Sequence, residues 1–388
     1  MLWRGRGSPV EFRSAVSLGT ESHLIVKDIC DQLGAGDGID LAMVFVRPSD
    51  ESSAEDLLKE LRSSLGAKHI IGCTAGGVLG CGREIEDVVG TSVIAASLPG
   101  VVVEPIAGVD SGGDETLPED ARVCILLADP FTTSTERVLQ KFNRARTGVP
   151  VIGGLASWGM SPGQNRLVSD DGVANSGFVG VVLRGSVDVD VVVSQGCRPV
   201  GETYTVTSCL GNVISELDQE LPIQILEQVF ADASQEDQSL MRSGILVGRG
   251  VSRDRETLGR GSFLVRGVIG ADRESGAISV ADHMKQSEIV QFHVRDAMTA
   301  RDDLEMLLIP QAFEDKPSGV LLFTCNGRGE RFFGQPNVDV TIVGKALGGD
   351  IPLAGFFCGG EIGPIGHSNF LHGYTASMAI FRPAQLAN

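Results

Sequence analysis

The chain has 388 residues, 42% of them hydrophobic, and carries a formal net charge of −18 with a pI near 4.7. This length predicts two domains of ordinary size, and the acidic balance excludes a concentrated basic surface, so we expect neither nucleic acid nor an anionic membrane as a partner. No apolar run reaches the roughly 20 residues that span a bilayer. The N-terminus lacks the apolar core of a signal peptide, so the cytoplasm is the expected location.

The first strand of a repeated unit is predicted by the apolar run at residues 41–46. Residues 52–55 have the capping-box pattern of a helix start, and leucines follow at helical spacing up to Gly66, which suits a C-terminal cap. A second short strand at 69–71 then leads into the glycine-rich segment 72–80. This order of elements predicts a strand–helix–strand unit that ends in a glycine loop.

The same unit recurs at residues 123–159 and, with a longer loop before its helix, at 319–363. The first and third copies share the spacing G-x-x-x-G-G-x-x-G, which begins at Gly72 and at Gly355, and the second copy shares its first glycine, Gly153. A unit of this length predicts a right-handed parallel crossover, so the residues that leave both strands emerge at one edge of the sheet. Ligands usually bind at that edge.

An alternating apolar stretch follows each glycine loop, and we expect it to form an antiparallel or edge strand; these stretches are 91–96, 178–183 and 375–381. Together the patterns predict an α/β fold of two domains, each a mixed β-sheet flanked by helices and built from repeated β-α-β-glycine-loop units. The predicted boundaries give an N-terminal extension at 1–25, an N-terminal domain at 26–205 and a C-terminal domain at 206–388.

A ligand pocket is predicted where the two strands of the third copy end. Arg328 is expected to recognise an anionic group, because a guanidinium fork matches a carboxylate or phosphate, or else to pair with Glu330 or Glu361 inside the protein. Asn326 would donate hydrogen bonds, and Glu361 would meet a ligand amine. The candidate ligand-binding residues are Cys325, Asn326, Arg328, Glu330, Phe357, Cys358, Glu361, Asn369 and His372.

A second pocket is predicted in the N-terminal domain, around the glycine loops of the first two copies. Its candidate residues are Cys73, Thr74, Gly76, Gly77, Gly153 and Gly154. The eight cysteines include no CxxC pair and no zinc-module spacing, so we expect thiols in a reducing compartment, with no metal and no other cofactor.

Several segments resemble the FIST family, whose name combines F-box proteins and intracellular signal transduction proteins. Residues 323–330, 351–364 and 369–373 resemble its C-terminal domain, and residues 71–76 and 193–201 resemble its N-terminal domain more loosely. The resemblance covers about residues 30–370. It implies a sensory module for signal transduction that binds a small ligand, an amino acid or a derivative. The predicted N-terminal extension has only about 25 residues, too few for an F-box, so a signalling protein would act as a partner in trans.

Two other functions stay open at this point. One is a thiol-dependent hydrolase or transferase that uses Cys358 or Cys325, whose thiol would be activated by a neighbouring base or cation. The other is a protein-interaction scaffold, comparable to the substrate-recognition part of F-box proteins. The sequence assigns no catalytic residue, and an enzymatic activity is not the favoured interpretation.

Overall fold

The computed structural model of the protein describes residues 10–34, 38–108 and 117–384. These residues form two compact units. The sheet unit contains the described residues up to Ser194, together with Leu304–Leu371 and the described residues from Thr375 onward. The barrel unit contains Gln195–Asp303 and His372–Tyr374.

The elements of the chain up to residue 195 are, in order, β1 (Glu11–Ser17), α1 (Ser22–Leu33), β2 (Leu41–Arg47), α2 (Glu51–Ser64), β3 (His69–Thr74), β4 (Val78–Gly80), β5 (Arg83–Ile85), β6 (Gly90–Ser97), β7 (Val101–Gly108), β8 (Ala121–Ala128), α3 (Thr135–Ala145), β9 (Val151–Leu155), β10 (Leu167–Ser169), β11 (Gly172–Ala174), β12 (Phe178–Gly185) and β13 (Val187–Gln195).

The elements that follow are β14 (Cys197–Leu210), β15 (Val213–Leu217), α4 (Pro222–Asp232), α5 (Gln235–Ser243), β16 (Leu246–Gly250), β17 (Phe263–Ala271), β18 (Ile278–Val280), β19 (Ile289–Arg295), α6 (Ala297–Leu308), β20 (Gly319–Cys325), α7 (Glu330–Phe333), α8 (Val338–Ala346), β21 (Leu353–Cys358), β22 (Glu361–Ile365), β23 (Ser368–His372) and β24 (Thr375–Pro383). Short 3₁₀ helices lie at Arg255–Thr257 and Ile309–Phe313.

The predicted strand–helix–strand copies are all present in the sheet unit. The parallel pairs are β2 with β3, β8 with β9, and β20 with β21, and the connecting segments carry α2, α3 and α8 respectively. The three alternating stretches form β6, β12 and β24, each antiparallel to the first strand of its copy. The predicted α/β class with mixed sheets and flanking helices is therefore confirmed.

Each copy contributes the centre of a six-stranded sheet, and the three sheets share one plan. The orders are β1-β6-β2-β3-β10-β11, β7-β12-β8-β9-β22-β23 and β13-β24-β20-β21-β4-β5. Each sheet therefore begins with an outer strand and an antiparallel strand. The two parallel strands of one copy follow, and a hairpin completes the sheet. This identity of order gives the sheet unit an approximate threefold repetition.

The hairpin that closes each sheet comes from a different copy. The hairpin β4–β5, which follows the first copy, joins β21 of the third copy. The strands after the second copy, β10–β11, join β3 of the first copy, and β22–β23 after the third copy join β9 of the second. The exchange is cyclic, so no copy completes its sheet with its own strands.

The first glycine of each loop allows the two parallel strands of its copy to approach closely. A Cβ atom at Gly72, Gly153 or Gly355 would lie 3.0, 2.8 or 2.7 Å from the carbonyl carbon of the residue paired with it, and closer still to the carbonyl oxygen. Ordinary carbon–carbon contacts are about 3.5–4.0 Å long. The glycine spacing found in the sequence thus reflects one steric requirement that occurs three times.

A common core lies between the three sheets. Phe45 of β2 stacks on Phe356 of β21 with ring centroids 5.1 Å apart, and Phe323 of β20 meets Phe45 edge-on at 6.1 Å. Ile125 of β8 belongs to the same buried cluster. On the other side of the first sheet, Val44 and the helices α1 and α2 form a second cluster. Because the central strands are buried on both faces, they read as continuous apolar runs.

The barrel unit is a closed barrel of antiparallel strands in the order β14-β15-β18-β17-β16-β19. Its core contains Val206 and Phe292 from the strands, together with Val229 of α4 and Met241 of α5. Closure pairs the edge strands with each other, which removes the exposed edges of an open sheet. A barrel was not predicted for the C-terminal half.

The compact units differ from the predicted division at residue 205. The barrel begins at Gln195 but ends at Asp303, and the chain then returns to the sheet unit for the third copy. Within the predicted extension 1–25, β1 pairs with β6 from Glu11 to Ser17, while residues 1–9 lie outside the described residues. The cap of α2 is Asp50, which forms a reciprocal capping box with Ser53, and not Ser52 as predicted.

Candidate functional site

The carboxyl ends of the parallel strands of all three copies meet within the sheet unit. We call this place the strand-end site and define it by residues that end these strands or follow them: Arg47, Gly76, Ser157, Cys325, Asn326 and Gly359. Asn326 and Gly359 are exposed, and the other four are partly exposed. The parallel crossovers predicted this location, because both strands of such a unit end at the same edge.

Backbone hydrogen bonds tie the three glycine loops together. The N–H of Gly359, in the third copy, donates to the carbonyl of Leu155 in the second copy at 3.0 Å. The N–H of Ser157, in the second copy, donates to the carbonyl of Thr74 in the first copy at 3.3 Å. The loops of successive copies are therefore joined at equivalent positions.

The first copy is joined to the third directly, by the N–H of Phe357 that donates to the carbonyl of Gly77 at 3.0 Å, and also through a side chain. The N–H of Gly76 donates to Ser157 Oγ at 2.9 Å, and this hydroxyl donates to the carbonyl of Phe357. The third loop bonds to the second, the second to the first, and the first returns to the third. The result is a closed hydrogen-bond ring in which Ser157 contributes both its backbone and its side chain.

Arg47 and Asn326 provide polar side chains beside the hydrogen-bond ring. Arg47 Nη1 donates to the carbonyl of Gly76, and the backbone N–H of Asn326 donates to the carbonyl of Cys358 at 2.9 Å. The Asn326 side chain lies over Gly76, where an added Cβ would be 3.1 Å from its Oδ1. A guanidinium and a carboxamide are thus held at the surface by backbone contacts from two copies.

Arg328 is completely buried, and its fork is already occupied. Its Nε and Nη2 donate to the two carboxylate oxygens of Asp339 at 2.9 and 2.8 Å, and Thr324 Oγ1 donates to the same carboxylate at 2.8 Å. Burial opposes the charged form, but Asp339 outweighs it and raises the pKa of Arg328 above its ordinary value. The predicted internal partners were Glu330 and Glu361, whereas the observed partner is Asp339, at the start of α8.

Cys358 and Glu361 are also fully buried. Cys358 Sγ donates to the carbonyl of Phe356 at 3.5 Å, and Glu361 Oε2 accepts hydrogen bonds from the N–H and Oγ1 of Thr375 at 3.1 and 2.8 Å. Burial, reinforced by the neighbouring Glu361, raises the pKa of the Cys358 thiol well above its ordinary value. A thiol that stays protonated reacts slowly with a substrate from solvent, which argues against Cys358 as the nucleophile of a hydrolase or transferase.

Residues assigned to the two predicted pockets lie against each other. Gly154, assigned to the N-terminal pocket, packs on Cys358, and a Cβ on Gly154 would lie 3.1 Å from the Cys358 Cβ. A Cβ on Gly77 would lie 2.8 Å from the ring of Phe357. Cys73 is completely buried, and burial raises the pKa of its thiol. The loops of separate copies, which were assigned to separate domains, therefore converge on the strand-end site.

The remaining predicted residues have other surroundings. Asn369 is buried between α3 and β9, where it bonds to the side chain of Asn143 at 3.0 Å and to the backbone of Val149 and Val151 at 2.9 and 2.8 Å. His372 is buried and belongs to the barrel unit. Glu330 is exposed at the start of α7. Asn369 has a visible structural role, since its hydrogen bonds fix the start of β23.

Two acidic side chains from the β5 segment hold the start of α7 and α8. Glu86 Oε1 accepts the N–H of Glu330 at 2.9 Å, and Glu84 Oε1 accepts the N–H of Val340 at 3.1 Å. Burial, together with the negative charge of Asp339, raises the pKa of Glu84 to about 7. The hairpin that comes from the first copy thus anchors the helices of the third copy.

Arg47 and Ser157 belong to the strand-end site but were not predicted as ligand-binding residues. Arg47 takes the same place after its strand as Cys325 does, since Val44 pairs with Gly72 and Leu322 with Gly355. Aligning the three copies would have identified it. Ser157 has no such signal, because its position is a glycine in the other two copies.

Two of the cavities inside single units are larger than 400 Å³, and strand-end-site residues line neither of them. One, of about 460 Å³, lies in the sheet unit between β1, the β4–β5 turn and α8, and Arg13 and Cys81 line it. The other, of about 430 Å³, lies in the barrel unit beside Tyr204 and Asp232. Among the described residues, no group of three His, Cys, Asp or Glu side chains is placed to hold a metal ion. None of the described helices is long and apolar enough to cross a membrane.

Comparison with known proteins gives matches over most of the chain. The model of the FIST N domain matches residues 40–220, and that of the FIST C domain matches residues 222–364. A Mycobacterium tuberculosis protein described as uncharacterized is 39% identical over 352 residues, which cover 88% of this chain and 91% of the relative. A Mycobacterium bovis protein, also described as uncharacterized, is 37% identical over 355 residues, 89% of this chain and 92% of the relative. The chain therefore belongs to the FIST family, with both the N-terminal and the C-terminal FIST domains.

Proposed function

We propose that this protein is a sensory protein for signal transduction that binds a small carboxylate-bearing ligand, an amino acid or a derivative, at the strand-end site. The observation that carries this proposal is the closed hydrogen-bond ring, because it holds backbone from three copies of the repeat around two accessible polar side chains, Arg47 and Asn326. Small-ligand sites are typically preformed, with a few polar groups that fix the orientation of the ligand.

Arg47 is the group best suited to the ligand carboxylate. The one hydrogen bond that it makes to the described residues runs from Nη1 to the carbonyl of Gly76. Its Nε and Nη2 donors remain for an anion, and a guanidinium fork matches a carboxylate in geometry and charge. Asn326 would add its exposed carboxamide, which can both donate and accept hydrogen bonds. We assign Arg328 and Glu361 a supporting role, since both are buried and bonded within the protein.

The family supports the sensory role, since FIST domains are associated with small-ligand sensing in signal transduction. We further propose a cytoplasmic location and a separate signalling protein that reads the bound state. In this arrangement the ligand acts on the ring where three sheets meet, so a change there would reach all three copies.

Ligand binding can be tested by a thermal-shift screen of amino acids and their derivatives. For each compound that raises the midpoint temperature of unfolding, titration calorimetry then measures the affinity. We expect Arg47→Ala to weaken binding by about 10- to 100-fold, which corresponds to the loss of one charge-assisted hydrogen bond. Asn326→Ala should weaken it less, because its hydrogen bonds are neutral.

Arg122→Ala is the matched control. Arg122 is exposed and lies at the start of β8, at the end of that strand opposite Asp129, and its loss should leave the affinity unchanged. Equal affinity of the wild type and Arg47→Ala for every bound compound would overturn the assignment of this site. Mass spectrometry of small molecules released from freshly purified protein provides an independent search for the ligand.

A further inference from the structure

Two cysteines lie side by side at the strand-end site. Cys325 ends β20 and Cys358 ends β21, and the two are register partners in the parallel pair. Register partners in a parallel sheet project from the same face, and neighbouring strands are about 4.8 Å apart. Disulfide-bonded cysteines have Cα atoms about 4.4–6.8 Å apart, so the backbone already meets the distance requirement for a bond between these two residues.

The turn after β20 places a hydrogen-bond donor and a cation near Cys325. The N–H of Arg328 donates to the Cys325 carbonyl at 2.8 Å, which closes a tight turn, and the N–H of Gly327 donates to Cys325 Sγ at 3.4 Å. The buried Arg328 cation also interacts electrostatically with Cys325. A nearby cation and a hydrogen-bond donor are the features that activate a cysteine, and Cys325 is partly exposed.

We propose that Cys325 and Cys358 form an oxidant-sensitive dithiol whose co-reactant is a hydroperoxide. The Cys325 thiolate attacks one oxygen of the peroxide, the O–O bond breaks, and a sulfenic acid and hydroxide form. The Cys358 sulfur then attacks the Cys325 sulfur, the S–O bond breaks, and the departing hydroxide leaves as water with the proton of Cys358. Overall, two thiols and one hydrogen peroxide give one disulfide and two waters.

The division of roles follows from exposure. Cys325 can meet a peroxide from solvent, whereas Cys358 is completely buried and can react only with a sulfur that is already beside it. Cys73 is another buried thiol, and its charge would interact with that of Cys358, so it is the alternative partner. We assign the bond to Cys358 because it is the register partner of Cys325, whereas Cys73 pairs with Phe45. This inference stands independently of the proposed ligand.

The test treats the full chain with hydrogen peroxide, blocks the remaining thiols and maps the peptides without reduction. Cleavage after Lys and Arg places the two cysteines in separate peptides, because Arg328, Arg331 and Lys345 lie between them. We expect a linked peptide pair that has lost two hydrogens and contains Cys325 and Cys358. The absence of this pair, or a link from either residue to Cys73 in its place, would overturn the proposal.

Single variants separate the two steps. Cys358→Ser should stop at a sulfenic acid on Cys325, which dimedone traps, and Cys325→Ser should slow the oxidation of Cys358 by about tenfold or more. Cys73→Ser and Cys81→Ser are the controls for a buried and an exposed thiol, and both should still form the link. If a variant does not fold, the wild-type peptide map still decides, because it requires no substitution.

Discussion

The close approach of β20 and β21 makes a sharp prediction for one substitution, Gly355→Ala. The new Cβ would lie 2.7 Å from the carbonyl carbon of Leu322, whereas ordinary contacts are about 3.5–4.0 Å long. The same Cβ would lie only 1.7 Å from the carbonyl oxygen of Leu322, so the strands must separate by more than about 1 Å at a buried position. Overpacking of this kind costs about 1–3 kcal/mol, and the loss of one buried ladder hydrogen bond adds about 1 kcal/mol. We expect the free energy of unfolding to fall by about 2–4 kcal/mol.

Gly344→Ala is the matched control, since it is the same change in the same copy of the repeat. Gly344 lies in α8, and an added Cβ would meet no atom within 4 Å. Alanine is a better helix former than glycine, so this variant should gain about 0.5–1 kcal/mol. The two glycine-to-alanine changes should therefore shift stability in opposite directions.

Urea unfolding, followed by circular dichroism and tryptophan fluorescence, measures both variants. Trp158 lies next to Ser157 in the sheet unit and reports on that unit. If the copies are equivalent, Gly72→Ala and Gly153→Ala should lower the urea midpoint by a similar amount. The steric argument would be refuted if Gly355→Ala had the same urea midpoint as the wild type, with the same dependence of the unfolding free energy on urea concentration.

Three further predictions concern buried charges. Arg328→Ala should lower the free energy of unfolding by about 3–5 kcal/mol, because it leaves the buried Asp339 carboxylate without its cation. The double variant Arg328→Met with Asp339→Leu should recover most of that loss in a double-mutant cycle. Losses that simply add would contradict this expectation. Because the pKa of Glu84 is raised to about 7 in the folded state, the unfolded state loses its proton first, and stability should fall as pH rises from about 4.5 to 7. In urea titrations at several pH values, Glu84→Gln should reduce this dependence of stability on pH. An unchanged pH dependence would contradict the role assigned to Glu84. Burial lowers the pKa of His293 to about 4, so the barrel unit should lose stability as pH falls from about 6.5 to 4. The protection of barrel amides against hydrogen exchange should therefore fall over this range in the wild type. It should not fall in this way in His293→Gln.

Local patterns in the sequence were sufficient to predict the three copies of the repeat. Apolar runs, helical spacing and repeated glycines determine each strand–helix–strand unit through contacts that are close in the chain. The shared edge of the parallel strands followed from this, and with it the meeting of Cys325 and Cys358. The sequence did not predict the hairpin exchange, because the same short strand β4 can pair with any exposed sheet edge, and packing between copies decides which one.

The roles of individual polar residues were harder to predict for a related reason. Arg328 lies in a glycine-flanked loop, which is typical of a ligand-binding arginine, yet its partner Asp339 is buried with it at the start of α8. Asn369 reads as a pocket residue but bonds to Asn143 of α3. In both cases the partner lies on a helix whose placement depends on the folded sheet, so spacing along the chain carries no signal for it.

The cyclic exchange of hairpins also constrains how the protein is made. During synthesis, β4 and β5 leave the ribosome long before β21, the strand that they require. Until about residue 358 has emerged, the nascent chain presents apolar strands without partners, which is the situation that chaperones recognise. The three copies must therefore be completed together, and a shortened chain that stops before β21 should aggregate and not persist as a smaller folded protein.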